Sequence, residues 1–284
     1  MDIVTLKLII YYGSWLVFPL LFWAIVKRRI IFAILFVLFI YARFVEPNMV
    51  VVEHHKIQTG FEARYALISD MHLGIYNDAS ILEKAVDKIN TLDIDAVMIT
   101  GDFTYKPQFD DLEKLFAPLS KLKVPIFAVL GNHDCQRPGP NIRQALEDTL
   151  KHLGVKLLNN ESQNFNGITI VGVGSRWANE DSVEILKEYS PKDRVILLAH
   201  NPDSVLDISP KQYPDITLAG HTHGGQIRLP YLYKKVLPIE GEFLWDRGLH
   251  HYQKHKVFVS SGMGQVGLPL RFLVPPVVDV IELY

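Results

Sequence analysis

Short apolar runs that each end in aspartate, asparagine or histidine dominate the hydrophobic pattern of this chain. The five runs cover residues 65–69, 95–100, 125–130, 195–199 and 216–219. The polar residues that follow them are Asp70-Met71-His72, Gly101-Asp102, Gly131-Asn132-His133-Asp134, His200 and Gly220-His221-Thr222-His223. Runs of this length are typical of buried strands, and open α/β sheets place their ligand sites at the carboxyl ends of strands. We therefore expect these side chains to meet at one edge of the sheets.

The segments between the first three runs show the period of amphipathic helices. In residues 79–92, apolar side chains recur at helical spacing and leave Lys84, Asp87 and Lys88 on the opposite face. Similar patterns predict helices over residues 109–122 and 141–153. The second half predicts strands at residues 168–174, 194–199, 215–219, 257–260 and 277–283, with helix only at 181–189 and after Pro202. This order predicts an α/β fold of two packed, mixed sheets with helices outside.

The amino-terminal stretch has a different pattern, because it is apolar almost throughout. Residues 8–26 carry no charge, and as a helix they would be about 28 Å long, close to a hydrocarbon core of about 30 Å. The basic triplet Lys27-Arg28-Arg29 follows, and then a second apolar run over residues 30–42 that is short for a span. We interpret residues 1–46 as a membrane anchor, with one transmembrane helix and a second spanning or interfacial helix, and residues 47–284 as the catalytic domain.

The second apolar run leaves two topologies open. If both segments cross the bilayer as a hairpin, the positive-inside rule places the basic triplet in the cytoplasm and the globular domain outside it. If the second segment lies in the interface, the globular domain stays on the cytoplasmic side with the triplet. A cleaved signal peptide fits less well, since residues 42–47 lack a small-x-small cleavage site. The expected partner is therefore a lipid bilayer, on a side that the sequence does not fix.

Composition narrows the range of partners. With 284 residues, of which 49 % are apolar, the chain is long enough for one large domain or two small ones besides the anchor. The net charge of −2 gives no basic field, so nucleic acid is not an expected partner. Cys135 is the single cysteine and allows neither an internal disulfide nor a thiolate zinc cluster. The oligomeric state stays open.

The polar residues at the ends of the apolar runs have the chemistry of a metal centre. They are Asp70, His72, Asp102, Asn132, His133, His200, His221 and His223. Carboxylates, imidazoles and an amide without thiolate suit manganese, iron or zinc better than calcium. The set is too large for one tetrahedral zinc ion but divides well between two ions that share a bridging carboxylate. Two ions about 3.5–4 Å apart can activate water and hold both the attacking and the leaving oxygen of a displacement at phosphorus.

The order and composition of these motifs resemble the calcineurin-like metallophosphoesterases over about residues 66–284. The resemblance implies a four-layer sandwich of two mixed β-sheets flanked by helices. The ligand sets that it implies are Asp70, His72 and His223 for one metal, Asn132, His200 and His221 for the other, and Asp102 as the bridge. His133, oriented by Asp134, would protonate the leaving oxygen or stabilise the phosphoryl oxygens, as an imidazole can near neutral pH. Mn²⁺ is the expected ion, with Fe²⁺ or Zn²⁺ as alternatives.

Further matches point to one branch of this family. The stretches at residues 200–203, 224–226 and 262–272 resemble membrane-associated bacterial phosphodiesterases, which include enzymes similar to the UDP-2,3-diacylglucosamine pyrophosphatases of lipid A biosynthesis. The resemblance implies an inner-membrane hydrolase of a phosphodiester or pyrophosphate bond, for example one that converts UDP-2,3-diacylglucosamine to lipid X and UMP. That role requires the cytoplasmic face. The alternatives are a phosphodiesterase of a soluble or exported envelope phosphodiester and a non-catalytic membrane scaffold.

Three regions are candidates for contact with a phosphorylated amphiphilic or small-molecule substrate. Between Arg228 and Lys256, leucine and aromatic residues alternate with lysine and arginine, a mixture that suits acyl chains and phosphates. Arg271 follows a glycine-rich turn and could pair with a substrate phosphate, because guanidinium matches phosphate oxygens; a structural ion pair is the alternative. Arg176 and Trp177 follow a predicted strand and are expected at the rim of the same pocket.

Overall fold

The computed structural model describes residues 2–135, 141–190, 192–209, 211, 214–240 and 245–284. The α-helices in these parts are α1 Ile3–Gly13, α2 Val17–Val26, α3 Ile30–Ile40, α4 Ala79–Ile89, α5 Leu112–Phe116 and α6 Arg143–His152. The strands are β1 Val51–Ile57, β2 Ala63–Ile68, β3 Leu73–Gly74, β4 Ala96–Thr100, β5 Thr104–Tyr105, β6 Ile126–Val129, β7 Val155–Leu157, β8 Glu161–Phe165, β9 Ile168–Val173, β10 Val195–Ala199, β11 Ile216–Ala219, β12 Gly248–Tyr252, β13 His255–Val259 and β14 Val277–Leu283.

Two six-stranded sheets make up the globular part. The first has the order β1-β14-β2-β4-β6-β7 and the second the order β12-β13-β11-β10-β9-β8. Strands β2, β4, β6 and β7 run parallel to one another, as do β9, β10, β11 and β13. The antiparallel pairs are β14 with β2 in the first sheet and the edge strands β8 and β12 with their neighbours in the second. The predicted α/β fold with two mixed sheets is confirmed.

Apolar side chains from both sheets fill the space between them. Met98 and Phe127 of the first sheet and Ile196 and Leu218 of the second belong to one fully buried cluster. Helices α4, α5 and α6 cover the other face of the first sheet, with their apolar sides in a second cluster. The outer face of the second sheet is covered by the 3-10 helices Val183–Glu188 and Pro202–Asp207, which contribute Leu186 and Val205 to a third cluster. The molecule therefore has four layers, of which the last consists of short 3-10 helices.

Two apolar helical segments, Ile3–Val26 and Ile30–Asn48, precede the sheets, and each is long and apolar enough to cross a membrane. Helices α2 and α3 pack against each other, and the basic triplet forms the turn between them. At the other end of this hairpin, the ring of Trp15 lies 4.9 Å from that of Phe44, and the Arg271 amide donates to the Ala42 carbonyl over 2.9 Å. The hairpin thus joins the globular part at the end remote from the basic triplet.

Some predicted elements have different forms in the structure. The helix expected over residues 109–122 is α-helical only from Leu112 to Phe116 and continues as a 3-10 helix that contains Pro118. The helix expected over residues 181–189 is the 3-10 helix Val183–Glu188. Strands β3, β5, β7, β8 and β12 lie outside the predicted strands. The side chains of β8 are mostly polar and exposed, so this edge strand gives no apolar signal in the sequence.

Candidate metal centre

The carboxyl ends of five strands bring the predicted metal ligands together. In the first sheet, the neighbouring strands β2, β4 and β6 run parallel and lead into the chain segments that carry Asp70, Asp102 and Asn132. In the second sheet, the parallel neighbours β10 and β11 lead into His200 and His221. Because parallel strands end at the same edge of a sheet, each set of side chains is gathered at one edge. The two edges face each other, and both sets line one cleft.

The first group of candidate ligands consists of Asp70, His72 and His223. One ligand atom from each lies within 4.8 Å of the others, and all three residues are buried. The Nε2 atoms of His72 and His223 are 2.9 Å apart, and His223 Nε2 lies 3.5 Å from Asp70 Oδ1. Nitrogen ligands that share one ion at about 2.1 Å lie roughly 3 Å apart. The three side chains therefore converge at the spacing of a metal site.

The second group consists of Asp102, His200 and His221, which satisfy the same distance criterion and are also buried. His200 Nε2 lies 3.1 Å from His221 Nδ1 and 3.1 Å from the amide oxygen of Asn132. Asn132 therefore adds a fourth ligand atom to this group. Imidazole, carboxylate and amide donors of this kind suit the transition metals that the sequence predicts.

Asp102 connects the two groups through a single oxygen atom. Its Oδ2 lies 3.5 Å from His72 Nε2 in the first group and 3.3 Å from His200 Nε2 in the second. Its Oδ1 accepts a hydrogen bond from the His133 backbone amide over 2.9 Å. A carboxylate that faces both groups and is held by a backbone amide has the geometry of a bridging ligand between two ions.

Electrostatics also favours cations in this cleft. Burial lowers the pKa of His72 and of His221 to about 3, so both imidazoles are neutral near pH 7 and have a lone pair to donate. Burial opposes a charge on His200, but the carboxylates of Asp102 and Asp70 outweigh it and raise the pKa of His200 to about 9. Buried His221 Nε2 has no hydrogen-bond partner among the described residues. The donor set thus fits two divalent ions.

The backbone is strained at most of these ligands. The φ angles of Asp70, His72, Asp102, His221 and His223 lie between 47° and 69°, in the left-handed region. For a residue other than glycine, such a conformation is unfavourable by about 1–3 kcal/mol, and it persists only when its surroundings fix it. Strain of this kind is concentrated at functional sites, and here it coincides with the candidate ligands.

The glycines of the motifs allow the strand ends to approach one another. A Cβ atom on Gly131 would lie 2.1 Å from Asp102 Oδ1, and one on Gly220 would lie 1.9 Å from Ser69 Oγ. Both distances are far shorter than contacts between non-bonded atoms. The two glycines are therefore required so that the carboxylates of Asp70 and Asp102 can take their positions in the cleft.

His133 lies at the mouth of the cleft, half-buried, with its ring 5.0 Å from that of His72. Burial lowers the pKa of His133, the Asp102 carboxylate opposes this, and the charges of His200, Lys7 and Lys106 lower the pKa further. A neutral imidazole at this position can accept a proton, and the imidazolium that results can donate it, beside the two ligand groups.

Asp134 has a different contact from the one predicted. Its carboxylate accepts hydrogen bonds from the backbone amide and hydroxyl of Thr104 over 3.0 and 3.1 Å, and from the amide of Gly131 over 2.8 Å. Both oxygens thus accept hydrogen bonds from the polypeptide around the loop, and Asp134 fixes the backbone of the loop that carries His133. Its predicted role in orienting the His133 imidazole stays a prediction.

The two arginines predicted to bind substrate are engaged elsewhere. Arg271 is fully buried, and its guanidinium donates to the carbonyls of Gly264, Val274 and Ser261 over 2.8–3.0 Å. Arg176 forms ion pairs with Asp181, Asp207 and Glu240. Hydrogen bonds and ion pairs within the chain therefore occupy both guanidinium groups, which favours a structural role, and contact with substrate phosphate stays a prediction.

Two side chains lie at the rim of the cleft, and the sequence pattern predicted one of them. Trp177, expected there, lies edge-on to His221 with ring centroids 4.6 Å apart. Lys7 was not predicted to be at the rim, yet its Nζ lies 4.1 Å from the centre of the Tyr105 ring, which in turn lies 5.1 Å from His133. The one signal in the sequence was a lysine within an otherwise apolar helix, which is a mark of function in membrane segments.

The mixed stretch between Arg228 and Lys256 divides into exposed and buried parts. Leu229, Tyr231 and Leu232 are exposed, whereas Trp245 is buried. Two further members of the predicted amphiphilic surface, Phe243 and Leu244, lie outside the described residues. The exposed members follow the His223 turn in the chain.

Comparison with known proteins matches residues 63–225 to the family of calcineurin-like phosphoesterases. The metallophosphoesterase YkuE of Bacillus subtilis is 30 % identical over 264 residues, which are 86 % of this chain and 88 % of the relative. The UDP-2,3-diacylglucosamine pyrophosphatase LpxG of Chlamydia trachomatis is 28 % identical over 300 residues, or 84 % of this chain and 90 % of the relative. A metallophosphoesterase of Helicobacter pylori is 29 % identical over 231 residues, which are 78 % of this chain but only 60 % of that protein.

The matched region contains all seven candidate ligands and ends two residues after the last of them, His223. It begins at the first residue of β2 and thus coincides with the sheets whose strand ends form the cleft. Sequence, fold and the arrangement of the cleft agree, and the chain belongs to the calcineurin-like phosphoesterase family.

Proposed function

We propose that this protein is a two-metal hydrolase of a phosphodiester or pyrophosphate bond in an amphiphilic substrate. The observation that carries the proposal is the position of Asp102, whose Oδ2 faces both ligand groups at 3.3 and 3.5 Å. Two ions on either side of one carboxylate would activate a water molecule and stabilise the charge that develops on phosphorus. Mn²⁺ is the ion we expect to support activity best.

The chain itself supplies the remaining chemistry. Asp70, His72 and His223 would hold one ion, and Asn132, His200 and His221 the other. His133 stands at the mouth beside His72 and would protonate the leaving oxygen. Arg271 lies behind the first group, where its Nη2 is 3.5 Å from His223 Nδ1, and it keeps that imidazole in place.

Exposed apolar side chains, one of them at the cleft and the others in the segments that follow His223 in the chain, support an amphiphilic substrate. Trp177 is 52 % exposed, Tyr231 86 %, Leu268 45 % and Leu273 55 %. Large exposed apolar side chains can mark a surface that meets lipid or another apolar partner. The apolar segment Ile3–Val26 borders the same mouth through Lys7 and Tyr105. The protein would therefore be anchored in the bacterial inner membrane and take its substrate from the bilayer surface.

UDP-2,3-diacylglucosamine is the substrate that we would test first. It combines acyl chains with a pyrophosphate, and two relatives bear the name of a pyrophosphatase for it. Its hydrolysis to lipid X and UMP requires the catalytic domain on the cytoplasmic side.

A second candidate is an exported envelope phosphodiester. The structure places Lys27, Arg28 and Arg29 at the turn of the hairpin, opposite its contacts with the globular domain. If the hairpin spans the bilayer, the positive-inside rule places this turn in the cytoplasm and the cleft outside. This observation favours a substrate on the outer side of the membrane.

The test is hydrolysis by full-length protein purified in detergent, after chelation and reloading with Mn²⁺. UDP-2,3-diacylglucosamine is compared with bis(p-nitrophenyl) phosphate, a small diester without acyl chains. Metal-dependent release of UMP well above the rate for the aryl diester would support the lipid substrate and the cytoplasmic side. Metal-dependent cleavage of the aryl diester alone would retain the two-metal chemistry and favour the exported phosphodiester. Absence of any metal-dependent hydrolysis would refute the proposed function.

A further inference from the structure

Lys7 is a charged residue in an unusual place. It is the single charged residue in the segment Ile3–Val26, and the helix turns it toward the globular domain, where it is half-buried. An ionisable residue in such a segment raises the free energy of the apolar helix in a membrane, and it usually faces a cavity or a binding site. The position of Lys7 therefore calls for a partner of opposite charge.

The described residues do not provide that partner. The ammonium group of Lys7 lies over the face of the Tyr105 ring, 4.1 Å from its centre, which is an electrostatically favourable but incomplete environment for a cation. No carboxylate of the described residues forms an ion pair with Lys7 or with the nearby Lys106. Two positive charges beside the cleft thus have no counter-charge among the residues that the structure describes.

The contacts of Tyr105 place these charges at the entrance of the metal centre. The Tyr105 ring lies 5.5 Å from His72 and 5.1 Å from His133. The charges of both lysines also contribute to the lowered pKa of His133, after burial. Lys7 therefore stands one aromatic ring beyond the candidate ligands. This position suits a group adjacent to the reacting phosphorus better than the reacting phosphorus itself.

The helix that carries Lys7 is fixed in this position by other contacts. Tyr11 stacks on Tyr76 with ring centroids 5.8 Å apart and an interplanar angle of 7°. Tyr76 in turn donates to the Gly267 carbonyl over 2.9 Å. The Arg43 guanidinium lies 4.3 Å from the centre of the Tyr11 ring and donates to Ser14 Oγ over 3.1 Å. These contacts hold the last turn of α1, one turn beyond Lys7, against the globular domain.

We propose that Lys7 binds the phosphoryl group next to the scissile bond of a pyrophosphate substrate, so that the apolar amino-terminal helix completes the substrate site. The inference rests on the proposed function and extends it to the class of substrate. A pyrophosphate offers a second anionic group beside the reacting phosphorus, whereas a simple phosphodiester does not. An ammonium group at this position therefore discriminates between the two kinds of substrate.

The test compares Lys7→Gln, Lys7→Arg and the control Lys27→Gln in the full-length, Mn²⁺-loaded protein. Lys27 belongs to the same amino-terminal region but lies in the hairpin turn. We expect Lys7→Gln to raise KM for UDP-2,3-diacylglucosamine by about tenfold or more, the loss of one charged contact. Its kcat/KM for bis(p-nitrophenyl) phosphate should stay within about threefold of wild type, since no second phosphoryl group is present. Lys7→Arg should recover most of the loss, and Lys27→Gln should behave as wild type.

Equal effects of Lys7→Gln on both substrates, or an effect no greater than that of Lys27→Gln, would overturn the proposal. Calorimetric titration of the same proteins with inorganic pyrophosphate and inorganic phosphate provides a readout that needs no turnover. Weaker pyrophosphate binding with unchanged phosphate binding supports the role of Lys7 even if the wild type hydrolyses neither substrate. Unchanged pyrophosphate binding refutes it. Failure of the proposed function is thereby distinguished from failure of this inference.

Discussion

At the scale of single residues, the candidate ligands combine a strained backbone with the burial of ionisable side chains. Five of them adopt left-handed φ angles, and His72 and His221 are buried as neutral imidazoles. Asp134 and Gly131 offset part of this cost, because the Asp134 carboxylate accepts the Gly131 amide and holds the loop in place. The arrangement of the ligand atoms before an ion binds therefore lowers the stability of the folded chain.

The bridging position of Asp102 can be tested with Asp102→Asn. Asparagine tolerates a left-handed φ and can still accept the His133 amide, but it lacks the negative charge that two cations share. We expect activity to fall by roughly a hundredfold or more and the metal content to fall below two ions per chain, measured by elemental analysis. The exposed Asp93 offers the control Asp93→Asn, which should leave both quantities unchanged. Full metal content and activity in Asp102→Asn would contradict the bridge.

The role of His133 as the proton donor predicts a different outcome for His133→Ala. This side chain stands beside the candidate ligands without belonging to either group, so both ions should be retained. We expect turnover to fall by roughly 10²–10⁴-fold, the usual contribution of a general acid. The loss should be smaller for a substrate whose leaving group is a weak base. His152→Ala, at an exposed position, is the matched control, and loss of metal from His133→Ala would show that His133 is a ligand instead.

At the scale of secondary-structure elements, the strands that lead into the site were the most predictable part of the fold. Strands β4 and β10 consist of buried residues that are apolar except for Thr100, and the change to charged residues or histidine marks where each ends. Elements outside the core were less predictable. Strand β8 pairs at an edge through its backbone while its side chains meet solvent, so its position depends on a neighbour that local sequence does not reveal.

In the candidate site too, contacts with distant parts of the chain could not be predicted from local sequence. Side chains at strand ends could be grouped from the order of motifs, because parallel strands bring their ends together. The contacts of Arg271 with carbonyls, and of Arg176 with three carboxylates, depend on loops from distant parts of the chain. Lys7 was overlooked because the apolar span was taken to start at Leu8. Long-range partners of charged side chains were therefore beyond what the sequence pattern could predict.

The junction between the amino-terminal segment and the globular domain gives a prediction at the same scale. The buried Glu46 carboxylate accepts hydrogen bonds from the backbone amides of Leu273 and Val274. Each hydrogen bond to a charged group contributes about 1.5–3 kcal/mol, so we expect Glu46→Ala to lower the free energy of unfolding by at least about 2 kcal/mol. Denaturant unfolding in detergent measures the change.

Exposed Glu62 provides the control Glu62→Ala, for which we expect no significant change in stability. Proteolysis is a second readout, since loss of the Glu46 contacts should speed cleavage between the hairpin and β1. A Glu46→Ala protein as stable and as resistant as Glu62→Ala would show that the junction does not depend on this carboxylate.

At the scale of the whole molecule, metal binding and stability should be coupled. Ions that bind the folded chain and not the unfolded chain add about 2.7 kcal/mol at a free concentration one hundred times Kd. We expect a chelator to abolish activity and lower the melting temperature, and added Mn²⁺ to restore both. In Asp102→Asn, the chelator should change the melting temperature less than in wild type. A melting temperature that does not respond to chelator would argue against ions at the cleft.

The docking of α1 against the rim of the cleft has a kinetic consequence. With Lys7 over Tyr105 and Tyr11 stacked on Tyr76, the entrance lies beside a helix that, in the proposed membrane-anchored enzyme, would share the bilayer with a lipid substrate. Such a substrate arrives by lateral diffusion in two dimensions, and its surface density rather than its bulk molarity sets the rate of encounter. Diluting mixed micelles with inert detergent, at constant total substrate, would then slow the enzyme in the manner known as surface dilution.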